Sequence, residues 1–359
     1  MGAEMSTFPI LETFSNAKST LSSNASVFAE WLPEHIEKFA RKPFLISHVL
    51  AQNALFQLPR LERLAKAIHA ARIEGQAIDA QLKLRRDKPN LDALQAMSCW
   101  GAKSPIALSK ERWEHELSVL FNELDDGRST ISMMLSFANQ VDPEFDALMG
   151  QIIGEIAAAT GLCASDVAFK GMTVIVSAPR AVTPYHNDRE QNVLFQIRGV
   201  KDVYLYDQND PFILTQSVIE AFQIGNDGAT RYRAELAGRE AVYRLEPGLA
   251  VHHPALAPHW VKNGDGVSVS LAVYFTTRSM DDLARIHQAN SILRQLGLRP
   301  AAPDLSRGSD RLKAAFLRSL SGKRDCDRAL FRGLHRLKSP ARQLRGAWTL
   351  LHPQRPSAA

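Results

Sequence analysis

The chain has 359 residues, of which 45% are hydrophobic and 23% charged, enough for two or three packing units. This composition excludes a disordered or fibrous protein, and no apolar run approaches the roughly 18 residues that a membrane-spanning helix needs. Three widely separated cysteines, Cys99, Cys163 and Cys326, provide neither a disulfide framework nor a zinc-binding CxxC pair. Because the N terminus lacks the basic start and apolar core of a secretory signal, we expect a cytoplasmic protein without membrane contact.

The N-terminal third of the chain is predicted to be mainly helical. From about residue 25 to residue 125, apolar residues recur every three or four positions, in stretches that end at Gly75 and Gly127. Between these stretches, QLKLRRDKPN has the character of a short extended piece followed by a polar turn. A further helix is predicted to start at Asp142-Pro143 and to end at Gly161.

The character of the sequence changes near residue 167. Short β-rich segments such as GMTVIVSAP, NVLFQIRG and GVSVSLAVYF are separated by Gly, Pro, Asn and Asp, and this pattern favours a sandwich or barrel. From about Ser279 the helical pattern returns. We therefore predict a helical region over residues 1–130, a β-barrel over residues 131–278 and a basic helical region over residues 279–359.

Charge is distributed unevenly along the chain. The net charge is +5, yet residues 299–359 alone contain 14 Lys or Arg against 4 Asp or Glu. A basic segment of this kind could contact nucleic acid or an acidic partner. Its charges alternate with apolar residues at helical spacing, however, and it has few aromatic residues for base stacking. We therefore favour amphipathic helices with a solvated basic face; contact with nucleic acid is left open but not expected.

The first residues with a chemical signature are His186-Asn187-Asp188, within the predicted barrel. Alternate residues of a strand share a face, so the imidazole of His186 and the carboxylate of Asp188 can point together into the barrel. They supply two thirds of the 2-His-1-carboxylate triad that holds Fe(II) and leaves positions open for dioxygen. The pair alone is not specific, because His35-Ile36-Glu37 has the same spacing in a helical stretch.

A third metal ligand has to come from a strand that packs beside the first. The segment LEPGLAVHHPALAPHWVKN offers three histidines. His259 begins the approach to a strand and is our choice for the third ligand. His252 and His253 flank a turn, and we expect them to be structural or to face the substrate.

A single lysine provides a candidate anion-binding group. Lys201 follows the hairpin at Gly199 and is in register with the apolar residues Val203 and Leu205. A lysine on the apolar side of a buried strand is costly unless it is paired with an anion. We therefore expect Lys201 to bind the carboxylate of an acidic cosubstrate rather than to be an exposed strand lysine.

The spacing of these residues resembles that of the JmjC and cupin-like Fe(II)/2-oxoglutarate-dependent oxygenases, and within them the type that hydroxylates an asparagine of hypoxia-inducible factor. The resemblance covers roughly residues 130–275. The matching positions are Thr183, His186, Asp188, Asn192, Gln196, Gly199 and Lys201.

The resemblance implies a mainly β fold, a double-stranded β-helix (jelly-roll or cupin) barrel with flanking α-helices at both ends. It implies that His186, Asp188 and His259 form the catalytic centre as Fe(II) ligands. Lys201 and Thr183 would bind 2-oxoglutarate, with Asn192 beside its other end. The implied reaction hydroxylates a C–H bond with dioxygen and releases succinate and CO2 from 2-oxoglutarate.

The sequence says less about the identity of the substrate than about the residues of the catalytic centre. The resemblance favours a peptide or protein over a small molecule, and a homodimer is expected by analogy only. Two positions depart from the relatives: Ala272 stands near an Asn of the last barrel strand, and Ser132 near a Tyr of an early strand. The candidates to line a substrate groove, chosen because they lie beside the motifs, are Arg180, Tyr185, Arg189, Trp260 and Tyr274.

Two other functions fit part of the pattern. A non-catalytic, metal-binding cupin-like module with a regulatory role would keep the metal ligands and use the basic region to contact DNA or a partner. A cupin metalloenzyme that works without 2-oxoglutarate would also keep the triad. Neither requires a buried lysine, so Lys201 and Thr183 argue against both.

Overall fold

The computed structural model describes residues 25–87 and 108–320 of the chain. The expectations for the first 24 residues, for Cys99 and for the basic segment beyond Leu320 lie outside these residues. Within the described ranges, none of the helices has both the length and the apolar character needed to cross a lipid bilayer.

Seven α-helices occur in the described residues. They are α1 (Pro33–Lys38), α2 (Leu58–Ile73), α3 (Trp113–Asp125), α4 (Pro143–Thr160), α5 (Gln216–Gln223), α6 (Arg278–Gln295) and α7 (Gly308–Leu320). Helix α4 begins and ends as the sequence predicts: the Asp142 side chain accepts a hydrogen bond from the Glu144 backbone, and Gly161 ends the helix in the left-handed conformation.

Eleven strands form two antiparallel sheets within the same ranges. They are β1 (Phe44–Ser47), β2 (Gln81–Arg86), β3 (Ile131–Ser136), β4 (Val167–Ser177), β5 (Val182–His186), β6 (Gln191–Arg198), β7 (Lys201–Leu205), β8 (Ala241–Leu245), β9 (Leu249–His253), β10 (His259–Asn263) and β11 (Ser268–Thr277). The larger sheet has the order β1-β9-β6-β11-β4-β3-β2, and the smaller one β5-β10-β7-β8.

The two sheets pack face to face. One apolar cluster joins Leu194 and Ala272 of the larger sheet to Val203, Leu205 and Val261 of the smaller one. These contacts, with helices on both sides of the barrel sequence, confirm the expected jelly-roll architecture with flanking helices.

The two faces of the larger sheet have different neighbours. In β4, Met172, Val174 and Val176 join a core with helices α2, α3 and α4, whereas Thr173 and Ile175 point to the other side and line a cavity. Because successive strand residues point to opposite faces, one strand both anchors the helices and furnishes the cavity wall.

The N-terminal region is less purely helical than predicted. Strand β1 pairs with β9, and β2 pairs with β3, so both belong to the larger sheet. The extended character of QLKLRR is confirmed by β2. Strand β1 has only four residues, too few to show a period in the sequence.

The chain divides into two compact units. One comprises residues 1–214 and 230–278 and holds both sheets; the other comprises residues 215–229 and 279–359 and holds α5, α6 and α7. Within the second unit, Arg294 of α6 binds the buried carboxylate of Glu220 at 2.7 Å. The division into 1–130, 131–278 and 279–359 stays a prediction.

The turn between β6 and β7 yields a test of the fold. Gly199 has a φ of +74°, and a Cβ there would lie 2.4 Å from the Val267 carbonyl oxygen. We expect Gly199→Ala to lower the free energy of unfolding by about 2–4 kcal/mol, because overpacking and backbone strain add. Gly150→Ala, in α4 with nothing within 4 Å, is the control and should raise it slightly. Equal urea midpoints for the two variants would contradict the structure.

Candidate functional site

Three metal-binding side chains come together where β5 ends and β10 begins. His186 closes β5 and lies opposite His259 in the antiparallel pairing of the two strands. The Nε2 atom of His186 is 4.0 Å from Asp188 Oδ1, and that of His259 is 3.8 Å from Asp188 Oδ2. One donor atom from each side chain lies within 4.8 Å of the other two.

The backbone orients both imidazoles. His186 Nδ1 is 2.7 Å from the Pro184 carbonyl oxygen, and His259 Nδ1 is 3.0 Å from that of Ala257. Because a carbonyl only accepts hydrogen bonds, each Nδ1 carries a proton, and in a neutral ring this leaves the lone pair on Nε2, the nitrogen that faces Asp188. Burial lowers the pKa of His259 to about 3, so this ring is neutral. Two neutral imidazoles and a carboxylate fit the donor set of a divalent transition metal.

The His186–Asp188 pair is arranged differently from the prediction. Strand β5 ends at His186, and Asp188 lies in the connection to β6 rather than on the same strand. The two side chains still converge, but a strand end and the following turn bring them together instead of strand alternation.

The triad borders a cavity of about 410 Å³ that is lined by both sheets. The other residues expected at a cosubstrate site, Thr183, Asn192 and Lys201, line the same cavity. Thr183 pairs with Val261, two residues beyond His259 on β10. Asn192 lies on β6 opposite Tyr274, and its Oδ1 is buried without a hydrogen-bond partner.

Lys201 is the most unusual residue of the cavity. Its side chain is 4% exposed and shares a face of β7 with the buried residues Val203 and Leu205, as the sequence predicts. In the described part of the chain no carboxylate pairs with it, and burial lowers the pKa of Lys201 to about 7. An anion in the cavity would stabilise the charged form.

The adjacent histidines of β9 have different surroundings. His252 Nε2 lies 3.1 Å from Gln191 Oε1, and its ring stacks on Phe44 at 4.9 Å, which makes it a core residue. His253 faces the cavity instead, with its ring 4.7 Å from that of His259. The sequence shows the pair, but only the pleat of β9 tells the two residues apart.

The candidates for lining a substrate groove do not all lie at the cavity. Of the five residues chosen for their position beside the motifs, Tyr274 alone lines the cavity. Tyr185 and Trp260 directly neighbour the triad histidines in sequence, so strand alternation turns them to the opposite face. Arg180 and Arg189 belong to the loops that flank β5.

Two aromatic residues of the cavity wall could not be identified from the sequence. Phe137 and Phe169 belong to none of the sequence motifs, and their ring centroids are 6.2 Å from that of Tyr274. All three rings are half-buried. They form an aromatic wall (Phe137, Phe169 and Tyr274) beside the triad.

Of the two positions that depart from the relatives, Ala272 and Ser132, one lines the cavity and the other does not. Ala272 does line the cavity, as its place near the family's Asn implies. Ser132 does not; its hydroxyl donates to Asp87 and accepts a hydrogen bond from the Ala178 backbone at 3.0 Å. Met134, two residues later on β3, faces the cavity instead.

The chain is similar to a known protein family and to solved structures. The sequence model of the cupin-like domain family matches residues 38–281. This match confirms the cupin-like part of the resemblance, and the asparaginyl hydroxylase type stays a prediction. Comparison with curated proteins finds no match.

Several solved structures share distant similarity. The ribosomal oxygenase YcfD from Escherichia coli, in complex with cobalt and 2-oxoglutarate, is 14% identical with a TM-score of 0.43, over 81% of this chain and 66% of that one. The structure of YcfD in complex with cobalt and succinic acid is 13% identical with a TM-score of 0.40, over 80% of this chain and 65% of that one. DMSP lyase DddQ from Ruegeria pomeroyi DSS-3 is 16% identical with a TM-score of 0.20, over 31% of this chain and 39% of that one. This chain thus spans about two thirds of the length of YcfD.

The burial of Lys201 predicts a stability cost in the ligand-free protein. Between pH 7 and pH 10 the unfolded chain keeps the lysine proton that the folded chain releases, so wild-type stability rises with pH in this window. Lys201→Met should therefore unfold at higher urea than wild type at pH 6, with a gain that shrinks by pH 10. A gain independent of pH, or a loss at pH 6, would contradict the burial of an unpaired charge.

Proposed function

The chain belongs to the cupin-like domain family, and we propose that it is an Fe(II)- and 2-oxoglutarate-dependent oxygenase that hydroxylates a C–H bond. The observation that carries this proposal is a buried lysine that has no carboxylate partner among the described residues and lies in the same cavity as a His–Asp–His donor set. A lysine held there at a cost in stability is accounted for when an anionic ligand belongs to the cavity.

Fe(II) would be held by His186, His259 and Asp188. The Nε2 atoms of the two imidazoles are turned toward Asp188 by their bonds to backbone carbonyls. The carboxylate offsets part of the charge of the ion, and three protein ligands leave further positions open. When bound, Fe(II) and 2-oxoglutarate supply the oxidative chemistry, in which dioxygen is used and succinate and CO2 are released.

The strand register gives the cavity a length suited to a dicarboxylate. Lys201 pairs with Asn263, four residues beyond His259 on β10, which corresponds to about 13 Å along the strand. The Lys201 side chain lines the same cavity as the triad. We infer that Lys201 and Thr183 bind one carboxylate of 2-oxoglutarate, with the keto-acid end beside Asn192 and the metal.

The aromatic wall supports a site for the substrate on the open side of the triad. The rings of Phe137 and Phe169 are half-buried, whereas Asn192 and Lys201 are buried. A side chain of a peptide or protein substrate could pack on these rings with one C–H bond near the metal. In this proposal the protein contributes positioning and the exclusion of water.

The cosubstrate site is tested by anaerobic titration of the apo-protein with Fe(II) and then with 2-oxoglutarate. We expect a saturable visible charge-transfer band in wild type and a much weaker band in Lys201→Ala, because the far carboxylate loses its cation. Lys262→Ala, an exposed lysine on β10, is the matched control and should titrate like wild type.

Two results would contradict the proposal. Iron binding without any such band would favour a metal-binding module or a cupin enzyme that works without 2-oxoglutarate. An equal band in wild type and Lys201→Ala would remove the role of the lysine.

The metal ligands yield a separate prediction. Asp188→Ala removes the one anionic donor, so we expect Mn(II) affinity to fall more than about 100-fold and succinate release to stop. Asp202→Ala, whose side chain pairs with Arg244, is the control and should retain both properties. Normal Mn(II) binding in Asp188→Ala, measured by calorimetry, would refute the assignment of the triad.

A further inference from the structure

One row of residues crosses the larger sheet opposite the triad. Gly171 of β4 pairs with Tyr274 of β11, Tyr274 with Asn192 of β6, and Asn192 with His253 of β9. Tyr274, Asn192 and His253 all line the cavity. The row therefore presents three neighbouring polar side chains to the interior of the barrel.

His253 is buried and has no hydrogen-bond partner within residues 25–87 and 108–320. The residue is 3% exposed, and neither Nδ1 nor Nε2 bonds to protein. The Oδ1 atom of Asn192, its neighbour in the row, is also buried without a partner. Nearly all buried polar atoms of native proteins are hydrogen-bonded, so two adjacent exceptions that line one cavity point to a ligand.

A purely structural role does not account for His253. The preceding residue, His252, has both a hydrogen bond to Gln191 and a stacked ring, as expected of a core histidine. Among the described residues, His253 has neither a hydrogen bond nor an apolar ring stacked on it. Its ring meets that of His259 edge-on, at an interplanar angle of 72°.

Direct metal ligation does not account for it either. In the described residues, the donor atoms within 4.8 Å of one another come from His186, Asp188 and His259, without His253. Its ring lies beside the ring of His259, with centroids 4.7 Å apart. His253 therefore borders the volume next to the metal position without belonging to the donor set.

We propose that His253, together with Asn192, hydrogen-bonds the keto-acid end of 2-oxoglutarate. This inference rests on the proposed function. A neutral imidazole has one N–H. A half-turn of the Asn192 amide brings its NH2 group to the position of the unpartnered Oδ1. The pair can then donate to both oxygens of a carboxylate. The row lies at the triad end of the cavity, and Lys201 pairs four residues further along β10, so the two sites hold opposite ends of the ligand.

The experiment compares two dicarboxylates on the full chain loaded with Co(II) in place of iron. Succinate lacks the keto-acid group that His253 would contact and keeps the carboxylate that Lys201 would bind. By calorimetry, His253→Leu should weaken 2-oxoglutarate binding about tenfold or more, as expected for a lost hydrogen bond to a charged group. Succinate affinity should change less than about twofold.

Matched variants isolate the hydrogen bond. His253→Gln keeps a donor and should recover part of the affinity, and Asn192→Ala should show the same selective loss as His253→Leu. His69→Leu, a half-buried histidine of α2 that contacts Trp113, makes the same replacement away from the cavity and should bind like wild type. Lys201→Ala should weaken both dicarboxylates.

Each other outcome has one meaning. Unchanged 2-oxoglutarate affinity in folded His253→Leu, or in Asn192→Ala should His253→Leu not fold, overturns the inference. A loss of Co(II) affinity makes His253 a metal ligand and also overturns it. An equal loss for both dicarboxylates overturns the assignment to the keto-acid end. If wild type binds Co(II) but neither dicarboxylate, the proposed function itself fails, which the variants alone cannot produce.

Discussion

A buried lysine ammonium with no anionic partner in the described part of the chain is the constraint on which the site depends. Burial disfavours the charged form of Lys201, and a hydrophobic residue at this position of β7 would pack without that cost. The tight turn at Gly199 sets where β7 begins, and pairing with β10 fixes the distance from Lys201 to His259. The same hydrogen-bonded strands thus set the separation between the cation and the metal-binding group.

The larger sheet supports this arrangement through its two faces. The apolar face of β4 and β11 packs on helices, and the other face presents Thr173, Ala272 and Tyr274 to the cavity. Packing on one side therefore rigidifies strands whose other side faces the ligand volume. A binding group on a packed strand is held more precisely than one on a loop.

Much of this site could be predicted from the sequence because its chemistry is local. His186 and Asp188 are two residues apart, and the register of Lys201 with Val203 is a simple alternation. The sequence could not reveal which residue of the His252–His253 pair faces the cavity, because that depends on the pleat of β9. Nor could it reveal Phe137 and Phe169, which long-range pairing brings to the triad.

The elements of the fold also divide into those that the sequence pattern predicts and those that depend on long-range pairing. Long periodic helices such as α4 and the β-rich run after residue 167 were predictable, whereas β1 is too short for a pattern and joins the sheet only through β9. Cytoplasmic location, a homodimer and the role of the basic C-terminal segment stay predictions.

The central claim is that the triad and Lys201 hold the two ends of one ligand. An anaerobic crystal structure of the protein with Mn(II) and 2-oxoglutarate tests it most directly. The account predicts the ion on His186, Asp188 and His259, with the far carboxylate of 2-oxoglutarate on Lys201. A 2-oxoglutarate molecule bound away from Lys201, or an ion bound away from the triad, would contradict it.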